Sequence, residues 1–253
     1  MTQKGRSTWI TILVAPALLW SLAGMEVTPA RMINGIPKAA TMLVDMFARP
    51  DWGYWPIVQQ RLIESLQIAT LGTFLASILA IPFGVLAARN LVTSPVPSAV
   101  GKQLLNAIRT FPEILLAYAF IKGLGLGPLA GVMAVAIHSI GMLGKLYAER
   151  IENVDRGAVE ALSATGAHPV SLFRHGILPD ILPDLVSFAL YRFDLNVRSA
   201  SVIGIVGAGG IGFILGIQYQ AANYPRLGLI VIATIGTVML VDTVSAKIRH
   251  ALV

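Results

Sequence analysis

The sequence predicts an all-α membrane protein with about six transmembrane helices. Three observations predict it. The first is composition: 55% of the 253 residues are hydrophobic and only 13% are charged, where soluble domains carry about 25% charged residues. The second is a series of apolar runs long enough to cross a bilayer, which takes about 20 residues. The third is one polar stretch, residues 151–183, between the fourth and fifth of these runs. The chain has no cysteine, which excludes disulfides and thiolate metal sites. The net charge of +6 fits cations flanking spans on the cytoplasmic side. No basic stripe with interleaved aromatics marks a nucleic-acid binder.

In chain order, Lys4 and Arg6 precede an uncharged run over residues 7–25. A cleavable signal peptide begins in the same way, but the length favours a retained helix. Residues 26–64 read as a loop of balanced charge. Trp52, Tyr54 and Trp55 in it suit the membrane–water boundary or a small packed loop. The second span is expected over 65–88, with a kink at Pro82 that a bundle tolerates. A short loop follows over 89–103. The third span, about 104–122, carries Arg109, Pro112 and Glu113. Arg109 and Glu113 are four apart and so placed to pair on a helix, while a buried Glu113 is also a candidate site residue. Gly123, Gly125, Gly127 and Pro128 make a turn. The fourth span, 129–146, is rich in small residues that let membrane helices approach. Its His138 reads as a packed, hydrogen-bonded residue.

The polar stretch reads as a helical hairpin. Its first helix covers about 158–164 and stops at Gly166, which tolerates the left-handed conformation. Its second starts near Pro169 and ends before Pro179. The fifth span starts near residue 185 and carries Arg192, Asp194, Asn196 and Arg198. Asp194 and Arg198 are four apart and expected to pair. Arg192 points almost to the opposite face, which leaves one positive charge over. Gly207 to Gly212 formally matches a dinucleotide fingerprint, but no enclosing βαβ unit or suitably placed acid supports it. It reads instead as irregular, closely packed backbone near the outer surface, so Gly207, Gly209, Gly210 and Gly212 are candidate gate-region residues. The sixth span, 227–246, carries Asp242 near its end. Six spans put both termini on one side, with most of the cations, and the positive-inside bias makes that side cytoplasmic.

Within the hairpin, Glu160-Ala161, Gly166 and Leu178-Pro179 resemble the EAA loop of ABC-importer membrane subunits. Leu162 and Gly176 depart from that pattern. Tyr191 to Gly212, Gly125 to Ala134 and Ile137 to Ser139 resemble the phosphonate-type branch of these permeases, and the likeness covers about residues 60–250. It implies a type I importer fold over one permease domain, 1–253. Residues 1–64 would form the first span and an extracytoplasmic loop, and 65–253 the importer core. It also implies a homodimer, two cytoplasmic ATPase subunits that bind ATP and magnesium, and a substrate-binding protein outside the bacterial inner membrane. This chain would hold no cofactor of its own, having no phosphate-binding loop, and would be no enzyme. Glu160, Ala161, Gly166, Leu178 and Pro179 would couple to the ATPase. Glu160 is expected to fix the hairpin through a charge-assisted hydrogen bond.

The substrate implied is phosphonate or a related phosphorus oxyanion, such as phosphite or a phosphate ester. Arg192, Asp194, Arg198 and Glu113 are the candidate pathway residues, since a guanidinium fork binds such an anion bidentately; the alternative is that Arg192 and Arg198 only tie neighbouring helices together through carbonyls and Asp194, the reading that suits Arg198 better. A proton-coupled secondary transporter is the competing class, with His138, Glu113, Asp194 and Asp242 as its relay. Such a protein would show two similar halves, and residues 1–125 and 126–253 share no repeat. No metal-ligand spacing or nucleophile–base pair supports an intramembrane enzyme.

Overall fold

The computed structural model describes residues 3–24, 28–91 and 95–252, apart from the side chains at 3–12, 22, 29, 32, 95, 156, 158 and 169. Its contacts divide the chain into two units, Met1–Arg49 and Pro50–Val253.

The first unit holds helices α1 (Gln3–Gly24) and α2 (Pro29–Ala48). The residues expected as a loop after the first span therefore contain a 20-residue helix. Its start follows from local chemistry. Thr28 is extended and its hydroxyl accepts from the Arg31 amide at 3.4 Å, and Pro29 costs nothing in a first turn. Ile33, Ile36, Leu43, Val44 and Phe47 recur at helical spacing and are all exposed. Of the charges that suggested a loop, Arg31, Lys38 and Asp45 fall on this amphipathic helix.

The second unit is helical, with no strand among the described residues. A 3₁₀ turn (Trp52–Tyr54) leads into α3 (Trp55–Ala87), which starts ten residues before the expected span and runs through Pro82. Then come α4 (Pro95–Thr110), α5 (Glu113–Leu124), α6 (Pro128–Glu152), α7 (Arg156–Ala164) and α8 (Pro169–Leu172). A π turn (Phe173–Ile177), α9 (Leu178–Ile203), a 3₁₀ turn (Gly204–Val206), α10 (Ile211–Gln220) and α11 (Tyr224–Leu252) complete it. α3, α6 and α11 are each long and apolar enough to cross a membrane. The pairs α4–α5 and α9–α10 meet at bends of 83° and 44°, and counting each pair as one span gives five.

The third expected span is thus broken. Pro112 is extended (φ −60°, ψ 130°), has no N–H to continue α4, and pushes Phe111 out of the helical region. Arg109 and Glu113 end on two helices and do not pair. The loop expected over 89–103 is shorter than that, since α4 starts at Pro95. The hairpin's second helix also differs from expectation. It does not stop before Pro179 but widens into the π turn and continues into α9. The Leu178 amide reaches back to the Phe173 carbonyl, and Leu178 stays helical (φ −58°, ψ −41°). Pro179 then sits in the first turn of α9, where its missing N–H is harmless.

Close packing rests on small residues. Gly72 and Gly84 on α3 face Val135 and Tyr147 on α6, and Gly141 and Gly144 on α6 face Leu105 and the α4 backbone. Ser98 donates to the Ala87 carbonyl at 2.7 Å, closing the end of α3. At the same end of the bundle Glu152 receives Lys102 and the Arg89 amide, both at 2.8 Å.

Candidate functional site

Two clusters of charge and one glycine loop make up the site. The first cluster lies at the base of the hairpin. α7 starts on Asp155, whose carboxylate accepts from the Gly157 amide at 3.0 Å, an ordinary N-cap. It ends at Thr165, and Gly166 then takes φ +74°, the left-handed turn that glycine makes without strain. Val159, Leu172, Phe173 and Leu178 pack inward against a core that includes Ile177, Ile181 and Leu185. Glu160, Ala161, Gly166 and Pro179 are exposed. Arg150, at the end of α6, ion-pairs with Asp184 and, at 3.1 Å, with Asp180. One guanidinium thereby joins the helix that enters the hairpin to the helix that leaves it. The sequence reading missed this joint, because the partners lie some thirty residues apart. Among the described residues no donor reaches the Glu160 carboxylate; the Arg156 side chain, one turn earlier on α7, lies outside them.

The second cluster lies midway along α9. Arg192 and Asp194 are each 5% exposed and Asn196 is fully buried. Asp194 does not pair with Arg198. It meets Arg249 at 2.5 Å, while Arg198 gives its Nη2 to both carboxylate oxygens of Asp242, at 2.9 and 2.7 Å. Asp242 and Arg249 are two turns apart on α11, so the two pairs lace antiparallel helices together. Spacing within α9 cannot reveal a partner on another helix. Arg192 donates its Nε to Ser139 at 2.8 Å and lies 3.4 Å from the Met142 sulfur. Ser139 and Thr73 in turn accept from Asn196, at 3.0 and 2.8 Å. This network ties α3, α6 and α9 together at the level of the arginine. Its members are polar residues inside spans, which is itself the signal that marks such positions.

Among the described residues three buried side-chain atoms lack partners: Arg192 Nη2, Asp194 Oδ1 and Glu113 Oε1. Buried polar atoms are nearly always satisfied, so these three positions stand out from the rest of the interior. Glu113, Arg192 and His138 lie within electrostatic range of one another. The His138 Nδ1 is 3.2 Å from the Phe111 carbonyl. The structure therefore brings Glu113 beside Arg192 and His138, but sets Asp194 and Asp242 apart in ion pairs.

The glycine loop joins α9 to α10. Gly207, Gly209 and Gly210 all have positive φ. The Gly207 carbonyl accepts from Gly127 at 3.0 Å, and Ser65 accepts from the Ile211 amide at 2.8 Å. A methyl group at Gly212 would overlap the Ser201 carbonyl. The stretch is compact irregular backbone packed against α3 and the α5–α6 turn.

Comparisons with known proteins agree with this architecture. Residues 80–252 match the family model described as the binding-protein-dependent transport system inner membrane component. The chain is 36% identical over 230 residues to the phosphite transport system permease protein PtxC of Stutzerimonas stutzeri, covering 91% of this chain and 82% of that protein. It is 37% identical over 215 residues to the phosphate-import permease protein PhnE of Mycolicibacterium smegmatis, covering 85% of this chain but 40% of that protein. In fold it resembles a chain of the inward-facing MetNI methionine ABC transporter, with a TM-score of 0.69 and 22% identity over 80% of this chain and 99% of the other. The all-helical fold is that of a type I ABC importer permease, and the chain belongs to the family of inner membrane components of binding-protein-dependent transport systems.

Proposed function

We propose that the chain is the permease subunit of an importer that carries phosphite, phosphonate or a related phosphorus oxyanion, driven by ATP hydrolysis in separate subunits. The observation that carries the substrate class is the 36% identity, over 91% of the chain, to a phosphite transport permease. The buried Arg192, with one N–H unmet, supports it chemically. Two copies of the chain frame the pathway, because five or six short spans are too few to enclose a route for a hydrated anion. ATP and magnesium are bound by two cytoplasmic ATPase subunits, and a binding protein delivers substrate from the other side. With α1 as a sixth span in addition to those five, both termini are cytoplasmic.

In this reading the hairpin docks into the ATPase through its exposed face, with Glu160, Ala161 and Gly166 at the contact and Leu178-Pro179 at its root. The Arg150 joint makes α6, the hairpin and α9 move together, which carries ATPase closure to Ser139 and Arg192. Arg192, Glu113 and Arg198 line the route, Asp194 holds α11 in place, and Gly207, Gly209, Gly210 and Gly212 shape its outer end. The proton-relay alternative loses support because Asp194 and Asp242 are occupied by arginines, and the family is ATP-driven in the reading above.

The test is uptake of labelled phosphite and methylphosphonate into proteoliposomes holding this chain, its ATPase and its binding protein. Uptake that requires internal or external ATP at the ATPase face and survives an uncoupler supports the proposal. Uptake abolished by the uncoupler with ATP present would refute it.

A further inference from the structure

A cavity of about 350 Å³ opens where α5 begins beside the last turns of α9. Its walls include Glu113, Arg198 and Ser199 on the polar side and Ile114, Val202 and Ile203 on the apolar side. Glu113 brings a carboxylate whose buried Oε1 has no donor among the described residues. Arg198 spends its Nη2 on Asp242, while its Nε and Nη1 have no partner among the described residues. The cavity wall therefore carries one carboxylate and one guanidinium, with the Glu113 Oε1 itself buried behind the wall and the Arg198 N–H groups half exposed.

Charge decides what fits. Three acids, Glu113, Asp194 and Asp242, stand with three arginines, Arg192, Arg198 and Arg249. Asp242 and Asp194 already balance Arg198 and Arg249, and Glu113 lies within electrostatic range of Arg192. No surplus cation remains to hold a dianion, and a fully ionised oxyanion would set its charge against Glu113 with no proton to offer it. Like charges at this range repel, and a buried acceptor without a donor costs free energy.

We propose that this cavity takes the phosphorus oxyanion in its singly protonated form. The P–OH donates to Glu113, a P–O⁻ accepts from Arg198, and the hydrogen or alkyl group on phosphorus faces Val202 and Ile203. The proposal rests on the importer reading above and adds a selection rule to it: the permease passes the monoanion and rejects anions that carry no hydroxyl. The charged and titratable groups facing Glu113 are Arg192 and His138, from α9 and α6, with Arg198 across the cavity and Asp242 behind it.

The experiment measures ATP-driven uptake of methylphosphonate by the reconstituted complex from about pH 6 to about pH 9, a range spanning a second ionisation of the phosphate type. Wild type, Glu113→Gln and Glu113→Asp are compared with the same binding protein, so its own pH dependence cancels in the ratios. Glutamine accepts and donates alike and carries no charge. The Glu113→Gln to wild-type ratio should therefore rise roughly tenfold across the range, the worth of one hydrogen bond to a charged group. Glu113→Asp, which keeps the carboxylate, should keep the wild-type profile. His138 is the other titratable group facing Glu113, so the comparison is repeated in a His138→Gln background, where the rise must persist. A flat ratio while both proteins import would overturn the protonation rule and leave the importer reading standing. A rise that vanishes with His138→Gln would overturn it too. Wild type that imports no phosphorus oxyanion at any pH would instead overturn the importer reading and the rule with it. If Glu113→Gln fails to assemble, Glu113→Asp decides alone, and loss of the wild-type pH profile in it contradicts the proposal.

Discussion

Arg150 and Arg192 are both arginines on the long helices that flank the hairpin, and their surroundings differ in kind. Arg150 meets two carboxylates at the polar end of the bundle. Arg192 is buried among spans, bonded to a hydroxyl and a thioether, with one N–H unmet. The first arrangement is a finished joint, with nothing left for a ligand to satisfy. The second is costly unless something arrives. Glu113 lies within electrostatic range of Arg192 but is not hydrogen-bonded to it, and a charged group at a helix centre, which costs about 2.5–3.5 kcal/mol in lipid, is retained where it serves a pathway. Connection at one place and recognition at the other is what the contrast teaches.

The largest expected effect lies outside both arginines. Gly212→Val should prevent assembly altogether, because the added side chain overlaps the Ser201 carbonyl and overpacking costs about 1–3 kcal/mol or more. A normal yield of complex from this variant, judged by size-exclusion chromatography, would show that the glycine loop is looser than described. Next comes Gly166→Trp. Among the described residues nothing lies within 4 Å of a β-carbon built at Gly166, so apart from the strain of a side chain at φ +74°, about 1–2 kcal/mol, the indole meets a docked partner. Transport should be lost while ATP hydrolysis continues and the protein still inserts. Coupled transport at the normal rate would contradict docking through this face.

The joint should respond more mildly. Arg150→Gln leaves Asp180 and Asp184 without their cation, and these groups are partly exposed, so each pair is worth at most about 1 kcal/mol. A fall of roughly 2–4 °C in thermal midpoint per kcal/mol is expected, together with more ATP hydrolysed per anion carried. An unchanged coupling ratio would reduce Arg150 to a surface ion pair. Smallest of all is Arg226→Gln. That residue pairs with Asp51 at 2.9 Å, but both are more than a third exposed, and the midpoint should move by less than about 2 °C.

Local signals were legible in the sequence and distant ones were not. Gly166 and Pro169 carry their turn chemistry with them, so the hairpin's first helix and its turn could be read directly. The same logic was available at Pro112, where the broken α4–α5 pair was read as one continuous span because the flanking run was apolar. α2 carried a clear helical stripe from Ile33 to Phe47, hidden because Arg31, Lys38 and Asp45 among its residues read as loop polarity. The ion pairs of α9 lie beyond any spacing rule, since Asp194 and Arg198 find their partners on α11. Arg150, Ser139 and Thr73 matter because the fold carries them to α9, which no single segment announces.

Arg192 is the residue whose replacement separates recognition from connection most directly. ATP-driven phosphite uptake, normalised to the amount of assembled complex, should be compared for Arg192→Gln and Arg192→Lys. If the unmet guanidinium serves the anion route, the glutamine variant assembles normally and loses uptake, while lysine, a point charge without the fork, keeps part of it. Equal loss of assembly in both variants, or full uptake by Arg192→Gln, would contradict the account and make Arg192 a second joint like Arg150.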